Sequence, residues 1–193
     1  MKGNYKNPMV VAEIGGNHKG EINIAKELLK VAAENRVEVA KFQKRNNKEF
    51  LTEEQYNSPH PNPIHSYGES YGAHREFLEF DVNQHQELKE YAESLGLIYS
   101  TSVWDTTSAK EIINLNPELI KVPSACNNHF EMLKVLRDDY QGQVHISFGM
   151  TTQDEEDQIV SFFEETHQSK RLVLYSCTSG YPVPFEDICM LEI

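Results

Sequence analysis

Cysteine is scarce in this chain, basic residues are outnumbered, and no stretch stays apolar for long. The three cysteines among 193 residues, Cys126, Cys177 and Cys189, are odd in number and show no metal-type spacing. A disulfide scaffold and a zinc ribbon are thereby excluded, and a reducing compartment with inert thiols is expected. Eighteen basic against 30 acidic residues leave a net charge of −12. Neither nucleic acid nor an anionic membrane is expected as a partner, so any anion site must be local. No run approaches the ~18 apolar residues of a membrane span, and the first eight residues lack the apolar stretch of a signal peptide. The chain reads as soluble and cytoplasmic. Glycine-rich phosphate turns of the G-x-G-x-x-G or G-x-x-x-x-G-K type are also missing.

What is present is alternation. Met9 to Ile14 reads as a short buried strand, Gly15-Gly16 as a turn, and Ile22, Ala25, Leu28, Leu29 and Ala32 recur at helical spacing. Val37 to Gln43 reads as a second strand. Residues 45–80 then turn to His, Pro, Asn, Tyr and Gly, with Pro61 and Pro63 breaking regular structure, so a long loop is expected. Its aromatic content (Tyr56, Tyr67, Tyr71, Phe77, Phe80) favours an ordered lid or an oligomer contact over a linker. Beyond it, helices over Asn83–Leu95, Thr107–Leu115, Asn128–Leu136 and Thr152–Glu165 alternate with strands starting at Leu97, Leu119, Val144 and Leu172. Such alternation implies parallel strands with right-handed crossovers.

The repeat is close to the ~30 residues per unit of an eight-unit barrel. A doubly wound open sheet is the alternative, and the placement of polar residues separates the two. An open sheet gathers its ligand contacts at one switch point. Here each strand end carries chemistry: Glu13, Lys41 with Gln43, Thr101, Lys121 with Ser124, Ser147, and Thr178 with Ser179 and Tyr181. The α/β class, with a TIM-type (β/α)8 barrel of which about six units fall within residues 1–193, is therefore expected.

Leu119-Ile120-Lys121-Val122-Pro123-Ser124-Ala125-Cys126 sets the chemical question. A lysine closing a buried strand costs desolvation unless an anion meets it. Two such lysines with hydroxyls on neighbouring strand ends describe a pocket for a phosphate or carboxylate. Taken singly, each lysine could equally pair with a neighbouring acid or reach the rim.

Ala12-Glu13-Ile14-Gly15-Gly16-Asn17-His18-Lys19-Gly20, Lys41-Phe42-Gln43-Lys44, Ile120-Lys121-Val122-Pro123-Ser124, Ser147-Phe148-Gly149-Met150 and Cys177 to Asp187 stand in the same order as in the sialic acid synthase family. Ser66-Tyr67-Gly68 and Tyr71-Gly72-Ala73-His74-Arg75 also resemble the long loop of its animal-like members. The resemblance implies a (β/α)8 barrel that condenses phosphoenolpyruvate with N-acetylmannosamine or a related N-acylated amino sugar. The product would be a nine-carbon 2-keto sugar acid of the sialic or legionaminic type, formed with release of phosphate.

By the same resemblance, Lys41, Thr101, Lys121, Ser124, Ser147 and Ser179 match positions holding the phosphate of phosphoenolpyruvate. Glu13, Gln43 and Tyr181 match positions facing the acceptor sugar. Cys126 stands where the family usually carries Glu or Asp as the proposed proton carrier for water addition. A divalent metal, manganese or magnesium, is implied as cofactor, with histidine ligands on units seven and eight, beyond Ile193. A small C-terminal antifreeze-like domain and a homodimer are likewise implied for the family, and that domain is absent from residues 1–193. A catalytically inactive binder of phosphoenolpyruvate or sugar phosphate, or a truncated fragment, is the alternative.

Overall fold

The computed structural model describes residues 8–180 and 182–188. Six parallel strands form one sheet in sequential order: β1 (Val11–Glu13), β2 (Val39–Lys44), β3 (Ile98–Val103), β4 (Leu119–Val122), β5 (Gln143–Phe148) and β6 (Leu172–Ser176). This is the six-unit part of a TIM-type barrel. Strictly sequential neighbours rule out the reversal that would define an open doubly wound sheet.

Five crossover helices follow the expected pattern: α1 (Ile22–Glu34), α5 (Val82–Ser94), α6 (Thr106–Ile113), α7 (Phe130–Asp138) and α8 (Gln153–Glu164). Their starts are written in the sequence. Asp81 caps α5 in a reciprocal box with Gln84, Thr152 does the same for α8 with Glu155, and the Asp105 carboxylate caps α6. Gly96 closes α5 at φ +78°, a conformation glycine adopts without strain.

The helices cover one face of the sheet. Ala40, Phe42, Leu97 and Tyr99 pack with Ala25, Leu29, Leu88 and Ala92 under α1 and α5. Val103, Ile120, Val122, Val144 and Ile146 pack with Ile112, Leu133, Leu136, Ile159 and Phe163 under α6, α7 and α8. Each of the large side chains, wholly removed from water, contributes roughly 1.5–3 kcal/mol. His85 of α5 is fully buried beneath Phe42 and Phe80, its Nδ1 2.6 Å from the Tyr99 hydroxyl. Desolvation pushes its pKa down to about 3, so it is a neutral core residue.

Residues 45–80 differ from the expected loop. They hold three short helices, α2 (Asn47–Phe50), α3 (Glu53–Asn57) and α4 (Tyr71–Leu78), with a 3₁₀ turn at Pro63–His65. The prolines break the segment without preventing helices on either side. Thr52 and Gln55 form a capping box for α3, and Ser70 accepts from the Ala73 amide to start α4. Arg45 ties the segment to the barrel, paired with Glu79 at 3.2 Å and stacked 4.3 Å over Trp104. Among the described residues no helix is long and apolar enough to cross a membrane.

Candidate active site at the strand ends

Residues aligned across parallel strands share a face, and their sequence neighbours take the other. Register aligns Glu13 with Lys41, Gln43 with Ser102, and Ser102 with Lys121. It then aligns Lys121 with His145, and Ser147 with Tyr175. These residues line the face opposite the helices.

Lys41 is 5% exposed, donates to the Ser102 hydroxyl at 3.1 Å and is ion-paired with Glu13. Burial lowers its pKa, and Glu13 acts against that shift. Two strands away, Lys121 donates to the Ser147 hydroxyl at 2.5 Å and lies 5.3 Å over the Tyr175 ring. Its pKa falls to about 8, through desolvation first and then the charge of Lys41. The two ammonium groups are therefore close enough to repel each other, in a position an anion would stabilise.

His145 adds no charge. Its Nδ1 lies 2.8 Å from the Tyr175 hydroxyl and its Nε2 3.1 Å from the Gln143 side-chain oxygen. Burial and the Lys121 charge push it down to about 4.

A third group forms around Gly149. A Cβ built on Gly149 would stand 2.7 Å from the Ser124 Oγ, 2.8 Å from the Ser179 Oγ and 2.9 Å from the Cys177 carbonyl oxygen. Only glycine lets these two hydroxyls close on one point of backbone. Asn127 holds that backbone in place, its side-chain amide donating to the carbonyls of Ser147 (3.0 Å) and Gly149 (3.2 Å). Two lysines and four serine hydroxyls thus stand on the strand ends or the turns that follow them.

The NeuB family profile matches residues 28–193. The chain belongs to the NeuB family. It is 32% identical over 179 residues to the N-acetylneuraminate-9-phosphate synthase of Homo sapiens, covering 93% of this chain and 49% of that protein. It is 25% identical over 184 residues to the N,N'-diacetyllegionaminic acid synthase of Campylobacter jejuni, covering 95% of this chain and 55% of that one. A crystal structure of the N-acetylneuraminic acid synthetase of Leptospira borgpetersenii superposes with a TM-score of 0.77 at 24% identity, over 97% of this chain and 61% of that one. This chain spans about half the length of the curated relatives it matches.

Within this NeuB-family chain, one of the expected site residues falls elsewhere. Thr101 aligns with Phe42 and Ile120, which belong to the helix-packed core, so it lies on the far face of the sheet. The hydroxyl that reaches Lys41 belongs to Ser102. Three hydroxyl residues in succession, Ser100-Thr101-Ser102, hide the face from sequence parity, and only register assigns it.

Cys126 stands in the turn Ser124–Cys126 that follows β4. It is 5% exposed, lies in the core cluster, and its thiol donates to the Trp104 carbonyl at 3.2 Å. Desolvation and the neighbouring Asp105 raise its pKa to about 11, so the thiol stays protonated at neutral pH. Tyr181 lies outside the described residues.

Sequence reasoning also passed over Ser102, Asn127 and Arg45. Arg45 donates to the Gln43 side-chain oxygen and so fixes that amide, which otherwise reads as a free sugar contact. Only an arginine two positions after the glutamine, on the same face of an extending strand, hinted at it.

Proposed function

We propose that this chain forms part of a synthase that condenses phosphoenolpyruvate with an N-acylated amino sugar such as N-acetylmannosamine. The product would be a nine-carbon 2-keto sugar acid, of the sialic or legionaminic type, and phosphate. The observation that carries the reading is the approach of Lys41 and Lys121 on one face, each hydrogen-bonded to a serine. In a chain of net charge −12 such a pair favours an anionic ligand. The names of the relatives support the reaction class.

In this proposal Lys41, Lys121, Ser102, Ser147, Ser124 and Ser179 hold the phosphate. They neutralise charge that grows as the carbon–oxygen bond to phosphate breaks. Glu13 and Gln43 take the sugar hydroxyls, the carboxylate accepting and the amide donating. Carbon 3 of phosphoenolpyruvate attacks the aldehyde carbon, water adds at the resulting cationic carbon 2, and the tetrahedral intermediate expels phosphate. A divalent ion, when bound, would polarise the aldehyde. Among the described residues no group of three or more His, Cys, Asp or Glu could hold one.

A second reading is favoured by Cys126: a protein that binds phosphoenolpyruvate without turning it over. Its thiol is protonated and engaged where a proton carrier is expected. Calorimetric titration with phosphoenolpyruvate, paired with a phosphate-release assay containing N-acetylmannosamine and Mn²⁺, tests both. Binding with release supports the synthase, binding without release supports the second reading, and no binding overturns both.

A further inference from the structure

Lys121 is held differently from Lys41. Lys41 has the Glu13 carboxylate as its counter-ion. Lys121 rests between the Ser147 hydroxyl, at 2.5 Å, and the face of the Tyr175 ring, 5.3 Å from its centroid. A lysine stem is flexible, and the charge of Lys41 works against the ammonium, so one hydroxyl fixes neither its direction nor its protonation. The ring supplies what the hydroxyl lacks, since an aromatic face attracts the ammonium and not the neutral amine.

Tyr175 is itself tied down. Gln143, His145 and Ser147 alternate along β5 and so share the inner face, and Tyr175 of β6 aligns with Ser147. From there its hydroxyl reaches back two positions to His145 Nδ1, at 2.8 Å, while His145 Nε2 lies 3.1 Å from the Gln143 side-chain oxygen. An amide oxygen only accepts, so Nε2 carries the hydrogen, Nδ1 is bare, and Tyr175 donates to it. Both hydrogen bonds thereby have a fixed direction. His145 is 1% exposed and Tyr175 half-buried, so the histidine is the rigid end of the chain. Burial, and then the Lys121 charge, hold the imidazole down to about 4, which keeps it neutral and makes it a poor base. A charged imidazole would also repel Lys121. What the histidine can do here is orient the phenol.

We propose that Tyr175, oriented by the His145 to Gln143 chain, is a positioning residue whose ring keeps the Lys121 ammonium charged and directed at the phosphate of phosphoenolpyruvate. The inference rests on the phosphate reading of Lys121 and adds to it two residues that act through the lysine. The other titratable groups that bear on Lys121 stay constant in the test. They are Lys41 of β2, which lowers its pKa after desolvation does, and Cys177 and Glu13, which raise it.

The test is calorimetric titration with phosphoenolpyruvate at several pH values across the Lys121 transition near 8. The chains compared are wild type, Lys121→Ala, Tyr175→Phe, Tyr175→Leu, His145→Asn, His145→Leu and the double variant Tyr175→Phe with His145→Leu, each checked by a denaturant melt. Tyr175→Phe and His145→Leu are each expected to weaken binding about three- to tenfold, the loss of one neutral hydrogen bond. The double variant should be no weaker than either single one, because both break the same chain. His145→Asn, whose side-chain oxygen can accept from the phenol, should restore most of the affinity. Tyr175→Leu, without a ring, should lose about tenfold or more and move the fall in affinity to lower pH, whereas Tyr175→Phe should keep that fall in place. A role in fold stability alone would leave the pH profile unmoved. Because Tyr175 is half-buried, its two variants read the ring even where His145→Leu fails to melt cooperatively. Wild-type affinity in Tyr175→Phe, additive losses in the double variant, or a Tyr175→Leu profile that matches wild type overturns the positioning role. Unchanged affinity in Lys121→Ala overturns the phosphate reading itself, and so is told apart from a failure confined to Tyr175 and His145.

Discussion

Lys121 and Ser147 meet at 2.5 Å, amine to hydroxyl, although register aligns Lys121 with His145, two positions earlier on β5. The lysine leans toward the C-terminal end of the sheet to reach its partner. Lys41 leans in the same direction, aligned with Ser100 but bonded to Ser102. Both charges are thereby carried past the packed strands to the end where a parallel barrel binds ligands.

If this is the phosphate site, the two lysines and the two serines should act together, and Thr101 should not. Lys41→Ala and Lys121→Ala are each expected to weaken phosphoenolpyruvate binding by about 10- to 100-fold, the ~1.5–3 kcal/mol of a hydrogen bond to a charged group. Ser102→Ala should weaken it less, and Thr101→Val should leave it unchanged. Calorimetric titration of the four variants checks the face assignment directly. A loss in Thr101→Val larger than in Ser102→Ala would reverse it.

Phosphoenolpyruvate affinity should also fall with rising pH. Lys121 titrates at about 8, and its protonated form is the one that meets the anion. Affinity should be level near pH 7 and then drop through pH 8, approaching tenfold per unit. Stability moves the other way. The pKa of Lys121 in the folded chain lies below its ordinary 10.5, so between about 8 and 10.5 the unfolded chain binds more protons. Unfolding free energy therefore gains from this group as pH rises through that window. Opposite slopes in titration calorimetry and denaturant melts would separate loss of the ligand site from loss of the fold.

How much of this was legible in the residues depends on which rule carried each part. Element order followed from apolar periodicity and caps, since Asp81, Asp105 and Thr152 announce their helices locally. The helices of residues 45–80 escaped because they are a few residues long and held by tertiary ties such as Arg45 to Glu79. Lys41 and Lys121 stood out because charge at the end of a buried strand is costly. Thr101 and Ser102 could not be told apart, because a strand buried on both faces shows no alternation. Cys126 was placed by motif alignment, whereas its environment is set by Trp104 and the core.

Gly149 makes a sharper structural demand than any other glycine near the site. A methyl group there would sit within 3 Å of the Ser124 and Ser179 hydroxyls and of the Cys177 carbonyl. The backbone is pinned by Asn127, so the serines must give way. Gly149→Ala is expected to cost ~1–3 kcal/mol in unfolding free energy, as overpacking does. It should also lower phosphoenolpyruvate affinity, because both displaced hydroxyls belong to the phosphate set. Gly180→Ala is the control, since its nearest neighbour would be 3.4 Å away. Equal effects of the two substitutions would show that the hydroxyl cluster does not matter.

The thiol of Cys126 separates turnover from architecture. Buried, bonded to the Trp104 carbonyl and raised to about 11, it should resist thiol reagents at neutral pH, while the exposed Cys177 reacts. Peptide mapping after brief labelling of the native chain reads this directly. Cys126→Ala should cost about 1–2 kcal/mol of stability by removing a packed group from the core, with phosphoenolpyruvate affinity unchanged. Any phosphate release should survive the substitution, because the thiol's proton is engaged by the Trp104 carbonyl. Loss of release with intact binding and a normal melt would place Cys126 in the chemistry despite its burial.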